Sequence, residues 1–183
     1  MILKNYKRDA ISWAFYDWAN SAFATTVMAG FFPIFFKSYW ASDLSDLEST
    51  AMVGYANSLS GLIVVLLAPI LGAYADIGNK RKKLLISFAS LGVFCTASFY
   101  YIPQGDWMLA ALFYALAAVG FSGGNVFYDS LIVSVSTNET RNRVPASGYP
   151  LGYLGGGLLF LANVIMLLTP NYFGIETQSN GAL

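Results

Sequence analysis

The stretch "AFYDWANSAFATT" occupies residues 14–26. It lies within a run from 11 to 36 made almost entirely of apolar and small residues, yet it carries a carboxylate, Asp17, and an amide, Asn20, one helical turn apart. Whether that acid stands in water or in hydrocarbon decides the fold, and composition answers. Hydrophobic residues make up 56% of the chain and charged residues 11%, against about 45–50% and about 25% in soluble domains. The apolar residues come in long unbroken blocks, the pattern of membrane-spanning helices. An all-α integral membrane protein is expected.

A spanning helix needs about 20 mostly apolar residues. Five blocks meet this: 11–36, 51–74, 84–102, 107–135 and 148–168. Short polar connections separate some of them, including "PQGD" at 103–106 and "GNK" at 78–80. The first block is too long for a signal-peptide core and carries Asp17 and aromatics where a cleavage site would fall. Residues 169–183 read as the start of an extracytoplasmic loop, and the expectation is a truncated chain.

Charge supplies the orientation. Lys4, Lys7, Arg8, Lys80, Arg81, Lys82, Lys83, Arg141 and Arg143 all fall on one side of a five-span arrangement. Asp43, Asp46, Glu48, Asp106 and Glu176 fall on the other, with Lys37 as its only base. The positive-inside rule then predicts a cytoplasmic N-terminus and an external C-terminal tail. Trp40, Trp107, Tyr100, Tyr101 and Tyr172 fall at the predicted outer ends, where an aromatic belt is expected. The sequence has no histidine, which excludes His-based metal sites and His acid–base catalysis. It has no P-loop, no nucleophile–base pair and no paired metal ligands, so no enzyme, catalytic residue, metal or cofactor is expected. Zero net charge gives no footprint for nucleic acid. Cys95, the single cysteine, reads as a buried packing residue.

Two carboxylates fall well inside the spans, Asp17 in the first and Asp129 in the fourth, each preceded by Phe-Tyr. A charged group at mid-bilayer costs at least ~2.5 kcal/mol, so both are expected to face other helices or an aqueous cavity. Both are expected about two turns in from the cytoplasmic ends of their spans, and helical spacing adds Asn20, Ser21, Ala24 and Met28 to the face of Asp17, and Ser122, Asn125 and Ser136 to that of Asp129. Two readings stand for these residues: lining a transport pathway or relaying a proton, and hydrogen bonding that only holds the bundle together. The fifth block, "SGYPLGYLGGGLLFLAN" at 147–163, sets Gly148, Gly152 and Gly156 at intervals of four, a groove for close helix contact, with Pro150 near its start. A hinge for alternating access is the second reading of that stripe.

The second block ends in "GAYADIGNKRKKLL" at 72–85. Gly72 and Asp76 share a helix face, Gly78 and Asn79 turn the chain, and Lys80 and Arg81 begin a run of four bases. This resembles the loop 2–3 signature of the major facilitator superfamily, in the place where that family has it. It departs in having Ile77 where a base usually follows the aspartate, and in Gly78 coming one position early. "YDWANSAF" at 16–23 and "GYLGGGLL" at 152–159 narrow the resemblance to the vacuole-effluxer-like branch, the autophagy-related permeases of fungi and related bacterial permeases.

The resemblance implies twelve spans in two six-helix halves, with a substrate site between the halves and the first and fourth spans lining the cavity. The five spans here would form most of the N-terminal six-helix half, with the C-terminal half as the missing partner. It implies a secondary transporter or effluxer in a bacterial inner (plasma) membrane, coupled to protons or another ion. The substrate would be a small molecule, amino acids in the fungal relatives. The alternatives are a non-transporting membrane scaffold or inactive fragment, or an oligomer of five-span units.

Overall fold

A computed structural model describes residues 2–136 and 143–174, with side chains described from residue 8 and again from 148. The elements are α1 (Ile2–Ala22), π-helical turns at Phe23–Phe31, α2 (Phe32–Phe35), further π-helical turns at Phe36–Trp40, α3 (Asp46–Ile77), α4 (Arg81–Ser98), α5 (Trp107–Ser130), α6 (Ile132–Val135) and α7 (Arg143–Leu168). Single 3₁₀ turns lie at Phe99–Tyr101 and Pro170–Phe173. There is no strand among the described residues. Five helical segments are long and apolar enough to cross a membrane: Arg8–Trp40, Asp46–Ile77, Arg81–Tyr101, Trp107–Ser130 and Gly148–Leu168. The side chains of Lys4, Lys7 and Arg143, and the residues Arg141, Glu176 and 175–183 of the expected tail, lie outside the described residues.

Local chemistry sets the ends of these helices. Ser45 and Glu48 form a capping box at the start of α3: the Ser45 backbone N–H donates to Glu48 Oε2 at 2.9 Å, and the Glu48 N–H donates to Ser45 Oγ at 3.3 Å. Lys37 Nζ pairs with Asp46 Oδ2 at 2.7 Å beside it. Asp106 caps α5 by accepting the Leu109 N–H at 3.2 Å. That helix stops at Ser130, where the Leu131 N–H turns back to the Phe127 and Tyr128 carbonyls. The block read as 107–135 is therefore two helices, and hydropathy cannot see the break because both sides of it are apolar. In the first span, the Thr25 hydroxyl donates to the Ser21 carbonyl at 3.1 Å. It competes there for the acceptor that an α-helical N–H would use, at the point where the backbone widens to π geometry.

The chain divides into two compact units, one of residues 1–34 with 142–183, the other of residues 35–141. In the first, α1 and the π-helical turns after it pack along α7. Contacts climb together from Gly148 on Trp13 to Gly156 on Thr25, so the two helices run parallel. In the second, Gly92 of α4 meets Gly120 of α5 while Phe88 meets Gly123 and Phe127, an antiparallel pair. α3 runs parallel to α5: Tyr114 Oη donates to Asn57 Oδ1 at 3.0 Å, and further along Val64 and Leu71 lie with Gly123 and Phe127 around one small apolar cleft.

α5 is the most enclosed helix, burying Ala110, Tyr114, Ala117, Ala118, Gly120, Gly123 and Gly124. Cys95 is buried, as its apolar setting implies. Trp40 departs from its expected place in the aromatic belt. It is 4% exposed, and its indole N–H donates to the Ile102 carbonyl at 3.2 Å, satisfying a loop carbonyl instead of a headgroup. Tyr100, Tyr101 and Tyr172 are exposed.

A Cβ added at Gly120 would stand 2.5 Å from the Gly92 backbone nitrogen, whereas one at Gly72 would meet nothing within 4 Å. Gly120→Ala is therefore expected to destabilise the protein in detergent by about 1–3 kcal/mol. Gly72→Ala should be neutral or stabilising by up to about 1 kcal/mol. Thermal unfolding of the two variants side by side checks both.

Candidate functional site

The residues read from the sequence as functional fall into three groups. Asp17 and Asn20 lie on α1 in the first unit, both half-buried. The Asp17 carboxylate and the Ser21 hydroxyl abut Gly152 of α7 where a Cβ would otherwise sit. Around that contact, a Cβ added at Gly148 would stand 2.5 Å from the Trp13 ring, one at Gly155 would run into the Trp18 carbonyl, and one at Gly156 would stand 2.8 Å from Thr25 Oγ1. The acid thus lies in the seam between two helices, in a notch that exists because residue 152 has no side chain. Spacing by four picks out Gly148, Gly152 and Gly156; it misses Gly155, whose approach to backbone is the tightest of the set, and cannot tell it from Gly157, which has open space.

Asn125 and Asp129 lie four apart on α5 in the second unit, and because that helix stops at Ser130, Asp129 is one residue from its end and not two turns in as the longer apolar block implied. Asn125 is half-buried and Asp129 exposed, while their helix neighbours Gly124, Phe127 and Tyr128 are buried. The polar pair therefore takes the face of α5 that its own unit leaves open.

The third group lies at the α3–α4 turn. Arg81 donates from Nε (3.1 Å) and Nη2 (2.7 Å) to Asp76 Oδ1, and from Nη1 (3.0 Å) to the Ser130 carbonyl at the end of α5. One guanidinium thereby ties together the ends of α3, α4 and α5 and satisfies a C-terminal helix carbonyl. Lys80 Nζ stands 3.9 Å from the centroid of the Tyr74 ring. The turn itself differs from its sequence reading. Asn79 takes the left-handed conformation (φ 49°), while Gly78 has φ −145°, which any residue adopts. Asparagine tolerates the left-handed region better than most residues, so the turn does not rest on the glycine. Gly72 has open space around it and is not at a close helix contact among the described residues. The Ser130 carbonyl was not readable in advance, because a backbone acceptor leaves no mark in side-chain identity. Among the described residues no group of His, Cys, Asp and Glu could hold a metal ion.

Apolar helices with few charges, arranged this way, define an all-α integral membrane protein. Residues 44–136 match the family described as vacuole effluxer Atg22 like, and the chain belongs to that family. It is 42% identical over 168 residues to a Bacillus subtilis protein named as an uncharacterized MFS-type transporter, YxiO, covering 91% of this chain and 39% of that protein. Autophagy-related protein 22 of Gibberella zeae is 31% identical over 87 residues, 48% of this chain and 13% of that protein. An uncharacterized protein of Aquifex aeolicus is 28% identical over 156 residues, 84% of this chain and 38% of that protein. This chain thus spans well under half the length of these relatives. No solved structure matches it.

Gly152→Ala is expected to lower the detergent melting temperature, because its Cβ would collide with the Asp17 carboxylate. Asp17→Ala should recover part of the loss in the double variant. A double-mutant cycle should return a coupling of roughly 0.5–3 kcal/mol; additive effects would mean that the two positions do not share the notch.

Proposed function

We propose that the chain forms the N-terminal part of a secondary active transporter that moves a small solute across a membrane by alternating access. The observation that carries this reading is the pair of carboxylates, Asp17 within the first apolar span and Asp129 at the end of the fourth, in a chain whose relatives are named as a transporter and as autophagy-related proteins of an effluxer family. Ionisable groups in such helices are expensive to keep, and pathway or proton-relay duty is the usual reason they persist. Asp17 and Asp129 would exchange protons or meet a substrate ammonium, with Asn20 and Asn125 supplying neutral hydrogen-bonding groups beside them. Amino acids are the substrate class favoured here, with a proton or another ion as the coupling partner. The excess of bases on one side supports a cytoplasmic N-terminus in a bacterial inner membrane.

Two other groups of residues serve this reading structurally. Of the Gly72, Asp76, Gly78, Lys80 and Arg81 set, Asp76 and Arg81 would serve as the conformational element: while Arg81 keeps its contacts, α3, α4 and α5 would move as one body. Gly148, Gly152 and Gly156 keep α7 on α1, so those two helices would also shift together.

A second reading is supported by the Gly152 notch: Asp17 serves only to pack α1 on α7, in a membrane scaffold without transport. Asp17→Asn, placed in a full-length protein that carries this sequence as its N-terminal part, separates the two. The transport reading expects pH-dependent flux in proteoliposomes to fall at least about tenfold, with the melting temperature unchanged. Unchanged flux with a lowered melting temperature would assign Asp17 to packing.

A further inference from the structure

The four consecutive bases that open α4 are not equivalent. Lys80 lies over Tyr74, and Arg81 is committed to Asp76 and the Ser130 carbonyl. Lys82 and Lys83 are exposed, and their side chains form no ion pair or hydrogen bond among the described residues. The end of the helix they occupy is already electropositive. Its N-cap is Lys80, which offers no side-chain cap, and its first turn holds no acid. Asp76, the nearest acid in the turn, is used by Arg81.

The surface that continues from these two lysines is apolar. Ile86 lies four residues after Lys82 and three after Lys83, on the same helix face. Val93 and Phe94 continue that face two turns further on. Ile86, Val93 and Phe94 are 54%, 71% and 68% exposed, within a segment apolar enough to cross a membrane. Ile77 and Tyr74, 86% and 49% exposed, flank the cations from the end of α3. Two ammonium groups that pair with no acid among the described residues therefore stand at the end of an apolar stripe that runs about 12 Å from Ile86 to Phe94.

We propose that Lys82 and Lys83 hold the headgroup phosphate of an anionic phospholipid whose acyl chains lie along Ile86, Val93 and Phe94. A free inorganic anion would use only the cations, and a neutral lipid only the stripe; a ligand with a charged head and a long apolar tail uses both. Lysine stems suit the place, because their methylenes lie along apolar surface while the ammonium reaches the headgroup layer. This inference rests on the membrane assignment and is independent of whether the chain transports anything.

The test reconstitutes the chain into phosphatidylcholine bilayers with trace spin-labelled phosphatidylglycerol or phosphatidylcholine and compares the fraction of each lipid held at the protein surface. The wild type should favour phosphatidylglycerol by about tenfold at low ionic strength, the preference shrinking as salt is raised. Lys82→Gln/Lys83→Gln should abolish most of it, Lys82→Arg/Lys83→Arg should keep it, and Lys37→Gln, which removes a base already paired with Asp46, should leave it unchanged. Reductive methylation of the wild type read by mass spectrometry needs no variant to fold, and should show Lys82 and Lys83 protected by phosphatidylglycerol alone. Equal retention of the two lipids, a preference that survives the glutamine variant, or displacement by inorganic phosphate at matched ionic strength would each overturn the proposal.

Discussion

In hydrocarbon, an apolar side chain gains nothing by leaving lipid for another apolar side chain, so helices hold together only where their backbones approach closely or polar groups pair. The two units of this chain follow that constraint. Gly92 and Gly120 bring α4 and α5 into backbone contact, Gly155 and Gly156 do the same for α7 on α1, and Gly152 makes room for the Asp17 and Ser21 side chains. The distribution of side chains is inverted relative to a protein in water. Alanine and glycine make up most of the enclosed face of α5, with Tyr114, Val119, Phe127 and Tyr128 among them, and serine and alanine are the buried residues of α3, while Leu62, Val65, Leu66 and Ile70 of α3 and Leu158, Leu161 and Leu167 of α7 are exposed. Dispersion between closely approaching backbones replaces the burial of large aliphatics.

The same solvent governs the polar groups, which must find partners inside the protein. Ser60, Ser87, Thr96, Ser98, Ser130 and Thr169 each donate to a carbonyl three or four residues back on their own chain, so their hydroxyls are satisfied without a neighbouring helix. The longer-range bonds fall where elements must be joined: Asn57 with Tyr114 across α3 and α5, Trp40 with the Ile102 carbonyl, and Arg81 with Asp76 and Ser130. The Arg81 junction also explains why neighbouring bases differ in availability. Once one cation has taken the local acid and the nearby carbonyl, Lys82 and Lys83 are left without a paired acid among the described residues.

Much of this was open to reading in advance, and the limits fall at identifiable residues. The apolar blocks and the family follow from strings such as "YDWANSAF" and from the Gly72–Asp76 spacing, because hydropathy over a span and a specific local string survive without knowledge of neighbours. The break at Leu131, the burial of Trp40 and the left-handed turn at Asn79 were not readable. Each depends on which hydrogen-bond acceptor lies nearby in space, and a one-dimensional sum of hydropathy carries no such information.

By itself, then, the sequence determined that the chain lives in a bilayer and that five of its segments are long and apolar enough to cross it, since both depend on transfer energies summed along the chain. Tertiary structure alone decided what each of them touches. Asp17 is held against Gly152 because a missing Cβ on a parallel helix leaves room for it, and Asp129 faces outward from its unit because the opposite side of α5 is filled by Phe127 and Tyr128. Arg81 reaches Ser130 because an antiparallel neighbour ends there. Contacts of this kind depend on distances between segments far apart in the chain, which no local pattern encodes.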